Sequence, residues 1–186
     1  MAEILLHICC GPCTIGPLGI LRREGHDVRG YFYNPNIHPY SEHERRWEAL
    51  QQLAVWESLP VEREEGYPIR EYLEGSLAAQ ARGENRCGHC YEERLGKAAE
   101  KARLTGRKIF TTTLLGSPYQ SRELLIKAGR QAAEREGVEF MEADFRSEFR
   151  AGWQKARELG LYTQKYCGCV FSEHEAFLVR ERRKRK

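Results

Sequence analysis

Seven cysteines in three tight groups constrain this chain more than any other feature. Cys9, Cys10 and Cys13 fall within five positions, Cys87 and Cys90 stand two residues apart, and Cys167 and Cys169 flank one glycine. Thiols in such groups suggest a metal or redox centre assembled from distant segments. The opening Met-Ala-Glu-Ile-Leu-Leu-His puts an acid ahead of a short apolar run, which is not the pattern of a cleavable signal peptide. No run approaches the ~18 apolar residues of a membrane span. A cytoplasmic protein with reduced thiols is therefore expected, and disulfides are the weaker explanation of the cysteines.

The segments between the cysteines alternate between strand-like and helix-like patterns. Ile4 to Cys9 reads as a buried strand, Pro17 to Glu24 as a short helix, and Val28 to Tyr33 as a second strand ending at Asn34-Pro35-Asn36. Ser41 and Glu44 form a capping box ahead of Trp47, Leu50, Leu53 and Ala54. Pro60 to Arg63, Lys108 to Leu115 and Val138 to Ala143 are further strands. Helices are expected over Ile69 to Leu77, Cys87 to Gly106, Ser121 to Arg135 and Phe149 to Leu159, with an exposed loop over Ala79 to Arg86.

This alternation predicts an α/β fold with a mostly parallel sheet flanked by helices. Its ligands should gather at the carboxyl ends of the strands, where the loops around Cys9, Asn34, Ser117 and Asp144 all fall. The length of 186 residues and an apolar fraction of 41% suit a single domain, assigned here to residues 1–179. Residues 180–186 carry six bases and one acid, whereas the preceding body holds 24 bases and 26 acids. That basic C-terminal tail is expected to be flexible; a contact with a polyanion is the second reading.

Spacing alone leaves the identity of the centre open. Cys10 with Cys13 and Cys87 with Cys90 share the two-residue gap that turns both thiolates toward one metal, and soft thiolates suit zinc and iron–sulfur clusters alike. Cys10-Gly-Pro-Cys13 also matches the thioredoxin motif, in which Cys10 attacks a disulfide and Cys13 resolves it. A thiol–disulfide oxidoreductase and a zinc-stabilised RNA-binding module are thus the alternatives to a redox metalloenzyme.

Six ordered motifs narrow the choice. His7-x-Cys9-Cys10-x-Pro12-Cys13, Tyr33 to Pro39, Arg86-Cys87-x-x-Cys90, Thr112 to Tyr119, Asp144-Phe145-Arg146 and Tyr166-Cys167-Gly168-Cys169 together resemble the cobalamin-independent epoxyqueuosine reductases, the QueH family. The resemblance covers about residue 4 to Ser172, with Gly11 where alanine is common; the basic tail lies outside it. It implies an adenine nucleotide alpha hydrolase-like (Rossmann-like, HUP) fold and a tRNA-modifying oxidoreductase of queuosine biosynthesis. The implied substrate is tRNA carrying epoxyqueuosine at the wobble position of the anticodon loop. The implied reaction is a two-electron reductive dehydration of the epoxide to queuosine. The implied cofactors are a [4Fe–4S] cluster and an additional mononuclear iron, fed by an external electron donor. No ATP use follows, since the cysteine cluster stands where relatives of that fold have a phosphate loop; no membrane or DNA partner is expected.

All seven cysteines are candidate ligands, with Cys10, Cys87 and Cys90 expected on the cluster. Asp144, His38 and Tyr119, in motif loops on the same edge, are the candidate catalytic proton donors. Each has a plainer role open to it: pairing with Arg146, bracing the Asn-Pro-Asn turn, or packing against a base. His7 is expected to be a hydrogen-bonded neighbour of the ligands; His89 and Glu42 are open. For RNA contact, the candidate aromatic residues are Tyr31, Tyr33, Tyr40, Tyr119, Tyr162 and Tyr166. The candidate phosphate contacts are Arg86, Arg94, Arg122, Arg146 and Lys165.

Overall fold

The apolar run after Glu3 forms the central strand. In the computed structural model, which describes residues 1–184, Ile4, Leu5, Leu6 and His7 are almost wholly buried, as a strand covered on both faces must be. This strand, β1 (Glu3–His7), pairs in parallel with β2 (Asp27–Phe32) on one side and β4 (Ile109–Thr112) on the other. β3 (Val61–Arg63) and β5 (Glu139–Phe140) complete an all-parallel sheet of order β3-β2-β1-β4-β5. The chain builds outward from β1 to β3, then returns to build the other half. The crevice between the carboxyl ends of β1 and β4 is therefore the topological switch point, where such sheets bind ligands.

Among the described residues seven helices surround or extend the sheet: α1 (Gly11–Arg23), α2 (Tyr40–Trp56), α3 (Ile69–Ala81), α4 (Arg86–Leu104), α5 (Arg122–Glu136), α6 (Phe149–Glu158) and α7 (Val170–Lys184). Several boundaries differ from the sequence pattern for local reasons. α1 begins at Gly11, six residues before the expected start, because Pro12 fits the first turn, where its missing N–H costs nothing. α2 starts before Ser41, and the Pro39 carbonyl accepts from the N–H groups of Glu42 (2.9 Å) and His43 (3.2 Å). β4 stops at Thr112, whose Oγ1 accepts from Leu114 N (3.2 Å) and turns the chain into a 3-10 turn over Thr113–Gly116. α7 carries Arg180, Arg182, Arg183 and Lys184 in its last turns, while residues 185 and 186 lie outside the described residues.

Close packing of α6 on α1 sets one wall of the site. A Cβ added at Gly16 would lie 2.7 Å from Glu148 Cβ, and one at Gly152 would lie 3.3 Å from Gly16 N. Both approaches leave room for little more than hydrogen. Gly16→Val is accordingly expected to destabilise the chain by about 1–3 kcal/mol through overpacking, read as a lower urea midpoint. A midpoint equal to the wild type would show that α6 is not held by this contact. No helix among the described residues is long and apolar enough to cross a membrane.

Candidate metal centre and cavity

Helix N-termini hold the cysteines. Cys10 caps α1 and Cys13 lies in its first turn, Cys87 and Cys90 lie in the opening turns of α4, and Cys169 immediately precedes α7. The unpaired N–H groups and dipole of a helix start favour negative charge, a pull toward the thiolate that burial opposes in most of these thiols.

Cys9, Cys10 and Cys13 form the tight set. Their sulfurs all lie within 4.8 Å of one another, a spacing that can hold a metal ion. Cys9 and Cys10 Sγ are 3.8 Å apart. At the switch point Thr113 Oγ1 accepts from Cys9 N (3.2 Å) and donates to Cys9 Sγ (3.4 Å). Gln164 Nε2 donates to Cys10 Sγ (3.1 Å) and lies 3.5 Å from Cys13 Sγ. Hydrogen bonds from the Cys10 and Cys13 thiols draw the Cys9 pKa well below its usual value. Burial pushes Cys10 up, and hydrogen bonding to its two neighbours pushes Cys13 up. Cys10, 1% exposed with a raised pKa, is the reverse of an exposed, activated thioredoxin nucleophile.

Cys87, Cys90, Cys167 and Cys169 form a looser set. Cys90 and Cys169 pack with Tyr72, and Asn85 caps α4 by accepting from Cys87 N (2.8 Å). Burial pushes Cys90 up to about 12 and raises Cys87 and Cys167, with neighbouring thiolates adding to each. Polar hydrogens point at three of these sulfurs: Gln120 Nε2 at Cys167 (3.5 Å), Ser172 N at Cys169 (3.3 Å) and Arg94 Nη1 at Cys90 (3.9 Å). Cys10 lies with Cys9 and Cys13 in the tight set.

Two buried arginines flank the sulfurs. Arg94, 1% exposed, donates from Nη2 to Asn34 Oδ1 (2.7 Å) as well as toward Cys90, and Asn34 Nδ2 in turn donates to Ile8 O (2.9 Å). Arg46 is equally buried. It holds Glu42 (2.8 Å) and donates to the carbonyls of Cys167 (2.8 Å) and Tyr166 (3.1 Å), fixing the loop that carries the last two cysteines. Seven thiols with buried cations and polar hydrogens around them make a donor set suited to soft, anionic metal groups. The Arg46–Glu42 pair lies on the face of α2 that also carries Leu50 and Leu53, so helical spacing alone could have placed it inside.

An open cavity of about 720 Å³ reaches this centre, within the range of small-ligand sites. Cys9, Cys13 and Cys167 lie on its floor. Ser117, Tyr119 and Gln120 come from the loop after β4, and Gln164, Lys165 and Tyr166 from the loop after α6. The remaining wall is α6, whose Phe149, Arg150, Trp153 and Arg157 were not among the residues singled out in the sequence.

The other candidates divide clearly. Tyr119 is 83% exposed at the cavity. Asp144 lies outside the cavity lining and grips Arg146 through both carboxylate oxygens (2.8 and 2.6 Å), a pairing that holds its pKa well below the carboxylate range. His38 also lies outside it: Nε2 donates to Pro35 O (3.0 Å), Nδ1 accepts from Val170 N (3.3 Å), and burial lowers its pKa. His7 bridges Thr112 Oγ1 (2.8 Å) and Tyr33 O (3.1 Å), and burial holds it neutral, with a pKa lowered to about 3. His89 faces Glu93 at 3.7 Å beside Gly75. Glu42 also accepts from Tyr162 OH.

Of the six aromatic candidates only Tyr119 and Tyr166 line the cavity; Tyr31 and Tyr33 donate to Glu64 (2.7 Å) and Glu93 (3.2 Å), and Tyr40 packs on Tyr67. Of the five cations only Lys165 lines it. Arg86 pairs with Glu175, Arg146 with Asp144, and Arg122 holds the Glu142 and Ala143 carbonyls.

Comparison with known proteins is consistent across the chain. Residues 4–175 match the family model described as Epoxyqueuosine reductase QueH. The chain is 35% identical over 175 residues to the Epoxyqueuosine reductase QueH of Dehalococcoides mccartyi, covering 94% of each chain. It is 36% identical over 179 residues to that of Thermotoga maritima, covering 92% of this chain and 91% of the relative. Among solved structures, a predicted subunit of a tRNA methyltransferase from Methanocaldococcus jannaschii superposes with a TM-score of 0.56 at 9% identity. That match covers 85% of this chain and 76% of the other, and at such identity it shows the fold alone.

Proposed function

The chain belongs to the epoxyqueuosine reductase QueH family, and from that premise we propose how its cavity performs the reaction. It is an oxidoreductase of tRNA processing that acts at the last step of queuosine biosynthesis. The epoxide accepts two electrons and two protons, both carbon–oxygen bonds to the ring break, a carbon–carbon double bond forms, and water leaves. The observation that carries the reading is the thiol floor of the cavity, where Cys9, Cys13 and Cys167 meet a space large enough for a nucleoside.

The residues divide the work. Cys9, Cys10 and Cys13, crowded within 4.8 Å, suit a single iron ion. Cys87, Cys90, Cys167 and Cys169 suit a [4Fe–4S] cluster, whose ligands stand farther apart than those of one ion. When bound, these groups supply electrons one at a time and a positive charge for the oxygen that leaves. Gln164 and Thr113 orient the sulfurs of the first set, and Gln120, Ser172 and Arg94 those of the second. The electrons come from an external donor, and the chain works in the cytoplasm, where thiols stay reduced.

Tyr119 is the proton donor to the oxygen, being the one candidate acid on the cavity. Asp144, ionised by Arg146, and His38, with both ring nitrogens engaged by backbone, position their loops. Tyr119→Phe is expected to slow single-turnover conversion by roughly 100-fold, the lower range of acid catalysis, with iron content unchanged. Unaltered turnover would remove Tyr119 from the mechanism.

Anaerobic purification tests the centre itself. Broad visible absorption with iron and sulfide in every chain supports this reading. A colourless protein with stoichiometric zinc, or a reversible Cys10–Cys13 disulfide, would contradict it.

A further inference from the structure

α6 has two unlike faces. Gly152 and Ala156 are buried, Gly152 against α1 and Ala156 among Ala49, Leu53 and Leu161. Phe149, Arg150, Trp153 and Arg157 recur at helical spacing on the cavity side. Their aromatic rings form a file, with Tyr119 6.0 Å from Phe149 edge-on and Phe149 5.9 Å from Trp153 between centroids.

Two independent features of this wall point to a ligand. The rings of Phe149 and Trp153 lie on the cavity lining with Tyr119 beside them, a flat apolar surface next to the thiols, and Trp153 Nε1 is buried with no hydrogen-bond partner among the described residues. Arg150 and Arg157, with Lys165 across the cavity, make no ion pair with any carboxylate of the described residues. Arg29, Arg45, Arg70, Lys127 and Lys155 are likewise unpaired, but Arg150, Arg157 and Lys165 are the unpaired cations of the described residues that line the cavity. Both arginines are exposed. Unpaired cations on both sides of an aromatic file fit a strand of alternating phosphates and bases.

We propose that this wall of α6 seats the anticodon loop of the tRNA. Phe149 and Trp153 stack a nucleobase beside the thiols, and Arg150, Arg157 and Lys165 hold the flanking phosphates. The assignment rests on the reading of the chain as a tRNA-modifying reductase, and it names the surface that reading leaves unassigned. An acidic peptide would satisfy the cations, but it offers no flat partner for the rings.

The test is binding of a fluorescein-labelled, unmodified anticodon stem-loop RNA to the full, anaerobically purified chain, followed by anisotropy across a potassium chloride series. No reductant or turnover is needed. Arg150→Gln/Arg157→Gln, a double change at exposed positions, is expected to weaken binding and to flatten the slope of log affinity against log salt by about 1.4, for two phosphates of a single strand. Trp153→Ala is expected to weaken binding on the order of 10-fold with little change in slope. Arg130→Gln, on α5, should change neither.

Affinity and slope unchanged in the double variant, with intact circular dichroism, would overturn the proposal. So would an acidic peptide that displaces the RNA at equal charge and is indifferent to Trp153→Ala. Queuosine formation by the wild type alongside unaltered RNA binding in these variants would refute the α6 assignment and leave the reductase standing. Weakened RNA binding in a chain that forms no queuosine would do the reverse.

Discussion

Cys90→Ser is expected to strip most of the iron and sulfide from the purified chain and to lower queuosine formation at least about 100-fold. That is the loss seen for disturbed metal sites at the upper end of neighbouring-residue changes, and a lost ligand should exceed it. Cys90 is buried, packs with Cys169 and Tyr72, and lies in the opening turns of α4. Serine offers a hard, protonated oxygen in place of a soft sulfur. The volume change is small, so the fold should survive, and circular dichroism would separate loss of ligand from loss of structure. Iron and sulfide counted per chain give the answer. A Cys90→Ser or Cys87→Ser protein with full iron content would remove α4 from the centre.

Arg94→Met should be the second most damaging change. Its guanidinium is buried between Asn34 and the Cys90 sulfur, so its removal leaves Asn34 Oδ1 without that donor and takes a cation away from a group of anionic ligands. Breaking a buried charge interaction by removing one partner costs about 3–5 kcal/mol. The metal-loaded protein carries more negative charge near Arg94 than the metal-free one, so the loaded form should lose more. The expected result is a lower thermal midpoint for the loaded variant, reduced iron retention, and a smaller shift after chelation. Arg94→Lys keeps the charge without the planar fork and should recover only part of the effect. Equal midpoints for loaded wild type and Arg94→Met would show that the cation does not balance the centre.

The parts of this molecule legible in the sequence were those fixed by local chemistry. Ile4 to His7 could only be a buried strand, and the strand–helix alternation carried the parallel sheet with it. Cys9, Cys10 and Cys13 announced through spacing a set able to hold a metal ion. Boundaries were less legible where single residues decide them, as at Pro12 and Thr112. The α6 wall of the cavity was less legible for a different reason. Arginine looks alike in a sequence whether it is buried, paired or free, so nothing there separates buried Arg94 and paired Arg146 from unpaired Arg150 and Arg157. Arg94 lies four residues after Cys90 and four before Ala98, on the buried face of α4, and that periodicity was the available signal. On α6 the signal was Gly152 and Ala156, small residues four apart, which show that the helix buries its smallest face and leaves its rings to the cavity.

The most direct measurement is nucleoside mass analysis of epoxyqueuosine-containing tRNA after incubation with the anaerobically purified, reduced wild-type chain. The expected result is a nucleoside lighter by one oxygen atom, identified as queuosine, appearing as epoxyqueuosine disappears and absent with Cys90→Ser. Epoxyqueuosine unchanged under strict anaerobiosis, in the presence of a chain shown to hold its full iron and sulfide, would contradict the assignment.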